Sequence, residues 1–434
     1  EYQDSGVVWM GNVPIHWTCE RFKWLLTEKL KTSNPDLPAG SISFGEVIYK
    51  NEVNLSPDTK ASYQEVLKDE FLINPLNLNY DLKSLRTALS KIDVVVSTGY
   101  IVLHCNHLLD RNYVRWLLQE FDVAHMKTLG AGVRQTVNFS DIANCYFYLP
   151  EQLEQRKIAH FLDHETAKID SLIAKQEKLI ELLKEKRQAV ISHAVTKGLN
   201  PNVSMKDSGV EWLGQVPEHW TVKPNKYLLD FVTSGSRGWA QYYADTGSLF
   251  FRIANLTRDT IEPKLESLQF VEPPQGSEGE RSKIKVGDLL ISITADLGSV
   301  CVADTSIGNG YVSQHIALCR PQKLYDSRWL AYYILSDTAK EQLLGSGYGG
   351  TKIQLSLEDI KELVVVVPSQ EEQREIANYI NDKLNQFEHL INQAYKFVGT
   401  LRERRITLIS SAVTGKIDVR NWQHPNEAKT GLSS

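Results

Sequence analysis

The sequence predicts an α+β chain: two α/β domains with curved β-sheets, separated by two long helices that pair as an antiparallel coiled coil. Three observations carry the prediction. A dense opening motif occurs twice, a second motif is repeated without a gap, and each copy of the second motif runs into a long stretch of coiled-coil spacing.

The opening motif is SGVVWMGNVPIHWTCERFKWLL at Ser5–Leu26, which returns as SGVEWLGQVPEHWTVKPNKYLL at Ser208–Leu229. Trp9, Gly11, Val13, Pro14, His16 and Trp17 match Trp212, Gly214, Val216, Pro217, His219 and Trp220. So many matches in so short a window mark an internal duplication. The second motif starts at Gly132 as GVRQTVNFSDIANCYFYLPEQLEQRKIA and at Gly350 as GTKIQLSLEDIKELVVVVPSQEEQREIA. Between the two motifs the copies diverge and differ in length. DEFLIN near Asp69 still echoes GDLLIS near Gly287, and VVSTGYIVL near Val95 echoes GYVSQHIAL near Gly310.

The diverged regions read as strands. Short β-rich runs (ISFGEVIY, KIDVVVST, YIVLHC; then SLFFRIA, DLLISIT, VSQHIALC) lie between Gly, Pro and Asn turns, with helical patches at Arg111–Phe121 and Ser327–Leu344. The long stretches read as helices. Apolar residues fall at Ile158, Leu162, Ile169, Leu172, Ile173, Leu179, Ile180, Leu183, Val190, Ile191 and Ala194. In the second copy they fall at Ile376, Ile380, Leu384, Phe387, Leu390, Ile391, Ala394, Val398, Leu401, Leu408, Ile409 and Ala412. Spacing alternates between three and four, the seam of a coiled coil. Pro150 and Pro368 precede the two starts, and Ser369 offers an N-cap. A helix of about 45 residues is roughly 68 Å long at ~1.5 Å per residue, and its stripe is best buried against the other helix. The expected order is a first domain at 1–148, a helix at 149–199, a second domain at 200–366, a helix at 367–418 and a polar tail at 419–434. Antiparallel pairing would then hold the domains at opposite ends.

Composition narrows the class. A net charge of −5 and a pI near 6.2 are not those of a generally basic nucleic-acid binder, so any DNA reading needs local basic surface or partner subunits. No apolar run approaches the roughly 20 residues of a membrane span. The chain opens EYQDSG, which is not a secretory signal, and the missing initiator Met suggests a start slightly inside the gene product. Cys19, Cys105, Cys145, Cys301 and Cys319 are odd in number and form no CxxC pair, which argues against a disulfide framework and a zinc site and for the cytoplasm.

Catalytic motifs fail on inspection. GSGYGGTK at Gly345–Lys352 has Gly-Thr-Lys where a phosphate loop needs Gly-Lys and then Ser or Thr, and a strand-like IQLSL follows. VEPPQG at Val271 and INPLN at Ile73 lack the residues flanking the prolines in adenine methyltransferases. His160 and His164 stand one turn apart beside Asp163, but Asn378 and Asp382 replace the pair in the second repeat, so solvated polar residues on a helix flank are the expectation. His104-Cys105-Asn106-His107 reads as a strand end.

The paired W-x-G-x-V-P-x-H-W openings, the P-x-x-E-Q-R-x-I-A helix starts and the helix ends SHAVTKG (Ser192) and SSAVTGK (Ser410) resemble the specificity subunits of type I restriction–modification systems. The likeness runs from about Ser5 to Val419. It implies two target-recognition domains alternating with two helical spacers, and a double-stranded DNA site of two half-sites separated by a fixed gap. It also implies a non-catalytic chain that binds no cofactor, docked with two methyltransferase subunits and two ATP-dependent restriction/translocase subunits. The partners would use S-adenosylmethionine, ATP and Mg2+.

Base-reading side chains are expected on turns beside Gly, where Arg, Lys, Asn and Gln can reach base edges. The first domain offers Arg86, Lys91, Lys127, Arg134 and Gln135. The second offers Ser236, Arg237, Trp239, Arg252, Asn255, Arg258, Gln314, His315, Tyr348, Thr351 and Lys352. Trp9, Trp17, Trp212 and Trp220, with Arg156 and Arg374 at the helix starts, are the candidates for subunit interfaces. Two other classes compete: an autonomous methyltransferase or nuclease, opposed by the missing motifs, and a coiled-coil protein scaffold, opposed by divergent turn-rich domains on a common frame.

Overall fold

The structure, a computed structural model, describes residues 1–76, 85–129, 136–235, 237–273, 276–345 and 354–425. The chain forms two compact units. One is Glu1–Gln176 with Phe397–Ser434, and the other is Glu177–Lys396. The division runs through the long helices, Gln152–Lys197 and Gln370–Val413, and not at their ends. Each half-helix buries its apolar stripe in the core of its own unit, which is why the helices do not form domains of their own.

Both units build the same four-stranded antiparallel sheet. In the first its order is Leu26–Glu28, Ile101–Cys105, Phe71–Ile73, Thr87–Leu89. In the second it is Leu229–Ser234, Ile316–Pro321, Leu289–Ser292, Val300–Val302. The weak echoes between the diverged regions thus mark equivalent strands. The inner strands Phe71–Ile73 and Leu289–Ser292 are short, mostly apolar and buried throughout, as expected for a sheet covered on both faces. A helix follows the central strand of each sheet, Arg111–Ala124 or Ser327–Leu335, capped by the carboxylate of Asp110 or Asp326.

Within each unit the two half-helices run antiparallel. Ile158, Ala159 and Leu162 share a core with Ile409, Ala412 and Val413 in the first. Ile191, Ala194 and Val195 share one with Ile376, Ala377 and Ile380 in the second. Arg405 and Asp170 tie the first pair at 2.8 Å. The predicted seam is too wide: Leu172, Leu179 and Leu390 stand 41–46% exposed. Spacing of three and four defines a face, but in these turns none of the described residues covers its edge.

The repeated motifs form one clasp in each unit. The helix-start glutamine, Gln155 or Gln373, donates through Nε2 to the carbonyl of Pro150 or Pro368 at 3.0 Å. Its Oε1 accepts from the backbone N–H of Asp110 or Asp326 at 2.8 Å. The preceding glutamate, Glu154 or Glu372, meets Nε2 of His16 or His219 at 2.9 Å. Glu372 also closes a reciprocal capping box with Ser369 and accepts from the Trp220 indole. Burial pushes its carboxyl up, but the bonds from His219, Trp220 and Ser369 outweigh burial and hold it below the usual range. The clasp explains why opening and helix-start motifs recur together: one positions the other.

Three of the four repeated tryptophans belong to these cores. Trp9, Trp17 and Trp220 are at most 8% exposed and are not free to meet a partner, whereas Trp212 is 39% exposed. Among the described residues no helix is long and apolar enough to cross a membrane.

Candidate nucleic-acid interface

Each four-stranded sheet has one edge at which the central strand begins and its neighbour ends. In the first unit the turn at Ser97–Tyr100 leads into Ile101–Cys105, and Gln64 fastens it by donating to the carbonyls of Ser97 and Tyr100 at 3.2 and 2.7 Å. Lys31 donates to the carbonyl of Thr98 at 2.8 Å. Beside the turn, Val137 N–H donates to the carbonyl of Pro75 at 3.2 Å. That bond joins a residue shortly before 77–84 to one shortly after 130–135. Lys31, Leu76, Thr98, Tyr100, Thr136 and Asn138 line a cleft there of about 580 Å³.

The second unit repeats the device. Leu355 N–H donates to the carbonyl of Ile293 at 2.8 Å, in the place of the Val137–Pro75 bond. Gln354 and Leu355, which follow 346–353, are therefore anchored at the start of the central strand, beside Gln314 and His315. The Gln314 amide donates to Nε2 of His315 at 2.9 Å, which leaves Nδ1 as the protonated nitrogen facing Thr294 Oγ1 at 2.9 Å. Gly235 ends the outer strand on the same edge, and exposed Arg237 follows it. Ser313 N–H donates to the carbonyl of Phe251 at 2.9 Å, which brings Arg252 alongside. The Nε of Arg252 and the hydroxyl of Ser313 are buried with no hydrogen-bond partner among the described residues. Arg258 is exposed a short way off, paired with Asp296 and donating to the carbonyl of Leu297 at 2.8 Å. Asp296 and its neighbour Ala295 have left-handed φ of +46° and +27°, the kind of local strain that concentrates at functional sites.

The structure thus gathers Arg237, Arg252, Gln314 and His315 at one edge, and it corrects other sequence-based assignments. Arg86 is 5% exposed and its guanidinium is committed to Asp122 through Nε at 2.9 Å. Trp239 is 2% exposed and stacks on Phe250. Asn255 is fully buried, accepting from Arg252 N–H and donating to the carbonyls of Lys264 and Ser267 at 2.9 Å each. None of these three can reach a base edge from its place in the core. Lys91 is exposed but lies at the opposite end of its strand pair, held by Glu46 at 2.9 Å. Lys127 is exposed on the short helix Met126–Thr128. Arg134, Gln135, Ser236, Tyr348, Thr351 and Lys352 lie outside the described residues.

Lys31, Thr294 and Gln354 belong to the edge, and the pattern of Arg, Lys, Asn or Gln on turns beside Gly does not reach them. The signal was present: in the repeat alignment Lys31 occupies the place of Ser234, one residue before the Gly235 turn. Among the described residues no group of three or more His, Cys, Asp or Glu could hold a metal ion. His164 instead faces His424, ring centroids 4.7 Å apart, near Trp422.

Comparison with known proteins adds a second line. Residues 85–182 and 275–395, slightly more than half the chain, match the family model described as the type I restriction modification DNA specificity domain. The type I restriction enzyme EcoBI specificity subunit of Escherichia coli is 25% identical over 288 residues, covering 64% of this chain and 59% of that protein. The chain thus spans less than two thirds of that relative's length. The MjaVIII specificity subunit of Methanocaldococcus jannaschii is 23% identical over 342 residues, 77% of this chain and 76% of that one. Among solved structures, a chain from a type I R-M system described for its complex assembly and conformational transition is similar at TM-score 0.70 and 16% identity, covering 93% of this chain and 99% of that one. The HsdS subunit from Thermoanaerobacter tengcongensis follows at TM-score 0.52 and 16% identity, covering 93% and 98%. These two show the fold.

Proposed function

The chain belongs to the type I restriction modification DNA specificity family, and from that premise we propose that it reads double-stranded DNA at two half-sites, one per unit, at the sheet edges where the central strands begin. The observation that supports this most is the equivalent pair of bonds, Val137 to Pro75 and Leu355 to Ile293, which joins the repeated motif to the diverged middle of each unit at the same place. A common frame with different middles lets one fold read two different sequences. Charge divides the work. Lys31 and Arg237 are suited to phosphates, which position the duplex. Gln314 carries the amide donor and acceptor that can bridge N6 and N7 of adenine.

In this reading the chain supplies recognition and docking, not chemistry. Methyl transfer from S-adenosylmethionine, and ATP- and Mg2+-dependent translocation and cleavage, belong to two modification and two restriction subunits in the cytoplasm. Exposed Arg156, Arg374 and Trp212 are available to hold them.

Substitution separates the two kinds of contact. Gln314→Ala should cost about 1–3 kcal/mol against the preferred base at one position of one half-site, and little against other sequences. Lys31→Ala should weaken binding to all sequences alike and reduce the salt slope by about one. Fluorescence anisotropy of the complex with its modification subunits, on duplexes varied one base pair at a time over a range of salt, distinguishes them. Uniform weakening by Gln314→Ala would remove that residue from base reading.

A further inference from the structure

Each unit also exposes apolar side chains at equivalent places. Trp24 and Tyr227 occupy the same position of the opening motif and are 66% and 58% exposed. Leu108 and Leu324 occupy the same position two residues before the helix-capping aspartates and are 53% and 58% exposed. Lys23 and Lys226 lie over the two aromatic rings at 5.1 and 5.5 Å.

The aromatic and the leucine are held together in both units. Asn106 N–H donates to the carbonyl of Leu25 and Gln322 N–H to that of Leu228, each at 2.9 Å. Asn106 also donates through its amide to Trp24 and accepts from Leu108 N–H. The long helix braces the same segment from below: Gln152 donates to the carbonyl of His107 at 3.2 Å, and Gln370 to that of Lys323 at 3.3 Å. Arg156 and Arg374 stand exposed on the next turn.

This patch lies at the far end of the sheet from the proposed DNA edge. The central strand runs from the edge at Ile101 to Cys105 beside Trp24, and from Ile316 to Pro321 beside Tyr227. Five or six residues at ~3.3 Å each separate the two ends by roughly 15–20 Å. The patch is therefore distinct from the proposed DNA edge.

Large exposed aromatic and leucine side chains beside cations are the composition of a protein interface, where aromatic residues and Arg concentrate. Their recurrence in both units, on copies whose middles have diverged, is what a surface meeting two copies of one partner requires. We infer that the Trp24–Leu108 patch and the Tyr227–Leu324 patch are the two docking faces for the modification subunit, each seating in an apolar pocket rimmed by carboxylates. This rests on the reading of the chain as a recognition subunit.

The test measures how many modification subunits bind. Native mass spectrometry of the full chain mixed with its cognate modification subunit should show two bound to the parent. Trp24→Ala with Leu108→Ala should leave one, with the affinity of the altered face down roughly ten- to a hundredfold. Tyr227→Ala with Leu324→Ala should also leave one, and all four together should leave none. Leu108→Glu, which keeps the tryptophan, should do the same through charge alone. Because the four side chains are exposed, the thermal midpoint should stay within a few degrees of the parent's. Two subunits still bound to the fourfold variant would overturn the inference and leave the recognition reading intact. A parent chain that binds no modification subunit would overturn both.

Discussion

Replacing Arg86 with alanine should destabilise the first unit by about 3–5 kcal/mol and leave the base preference of any surviving folded protein unchanged. Asp122, on the helix Arg111–Ala124, is fully buried. It accepts from the backbone N–H and from Nε of Arg86, each at 2.9 Å. Burial pushes the Asp122 carboxyl up, and Arg86 only partly offsets this. Without the guanidinium the carboxylate is stranded among apolar neighbours and takes up a proton more readily. A carboxyl raised in the folded state holds a proton that the unfolded chain releases near pH 3.9. The variant's stability is therefore greatest in acid and falls as pH rises through the raised folded value. Adding Asp122→Leu removes the stranded charge and should recover most of the loss. Urea unfolding of the single and double variants between pH 4 and 8 reads both effects. A stable Arg86→Ala protein that had lost one half-site would return Arg86 to the DNA surface.

Gly235→Ala should cost about 3 kcal/mol or more and silence the second half-site while sparing the first. A Cβ at position 235 would stand 2.6 Å from the carbonyl oxygen of Ser313 and closer still to that of Val312. Both obstacles are backbone, so the outer strand must move away from the start of the central strand. That shift displaces Arg237, Gln314 and His315 together, three residues of one edge. A neighbouring Gly238→Ala meets no atom of the described residues within 4 Å, although its φ of +84° adds local strain. It should disturb binding less. Footprinting on a DNA carrying both half-sites would show protection lost over one and kept over the other. Equal loss over both would mean that the edge does not serve one half-site alone.

The frame of the protein was legible because it is written twice. His16 with Glu154 and His219 with Glu372 recur as letters in the sequence and as 2.9 Å contacts in the fold. Two copies of one clasp give the chain order, the antiparallel sense of the helices and the equivalent strands. The edge was only partly legible. Searching for polar residues on turns found Gln314 and Arg237, but it admitted Arg86 and Asn255, which use the same hydrogen-bonding groups to satisfy buried partners. Residue type records what a side chain can bond, not whether water or a core surrounds it. Lys31 was missed for the converse reason: no glycine adjoins it, and only its hydrogen bond places it beside Thr98. Leu172 and Leu179 show the same limit for apolar residues, since a stripe does not reveal how far its cover extends.

The most direct measurement is selection of binding sites from a randomised duplex pool by the full chain assembled with its modification subunits. Two separated motifs should emerge, joined by a gap of fixed length and free sequence. Exchanging the segments around 77–84 and 130–135 for those of a relative should change one motif and leave the other and the gap untouched. A single uninterrupted motif, or a change in both motifs on exchanging one unit's segments, would contradict two independent readers on a common frame.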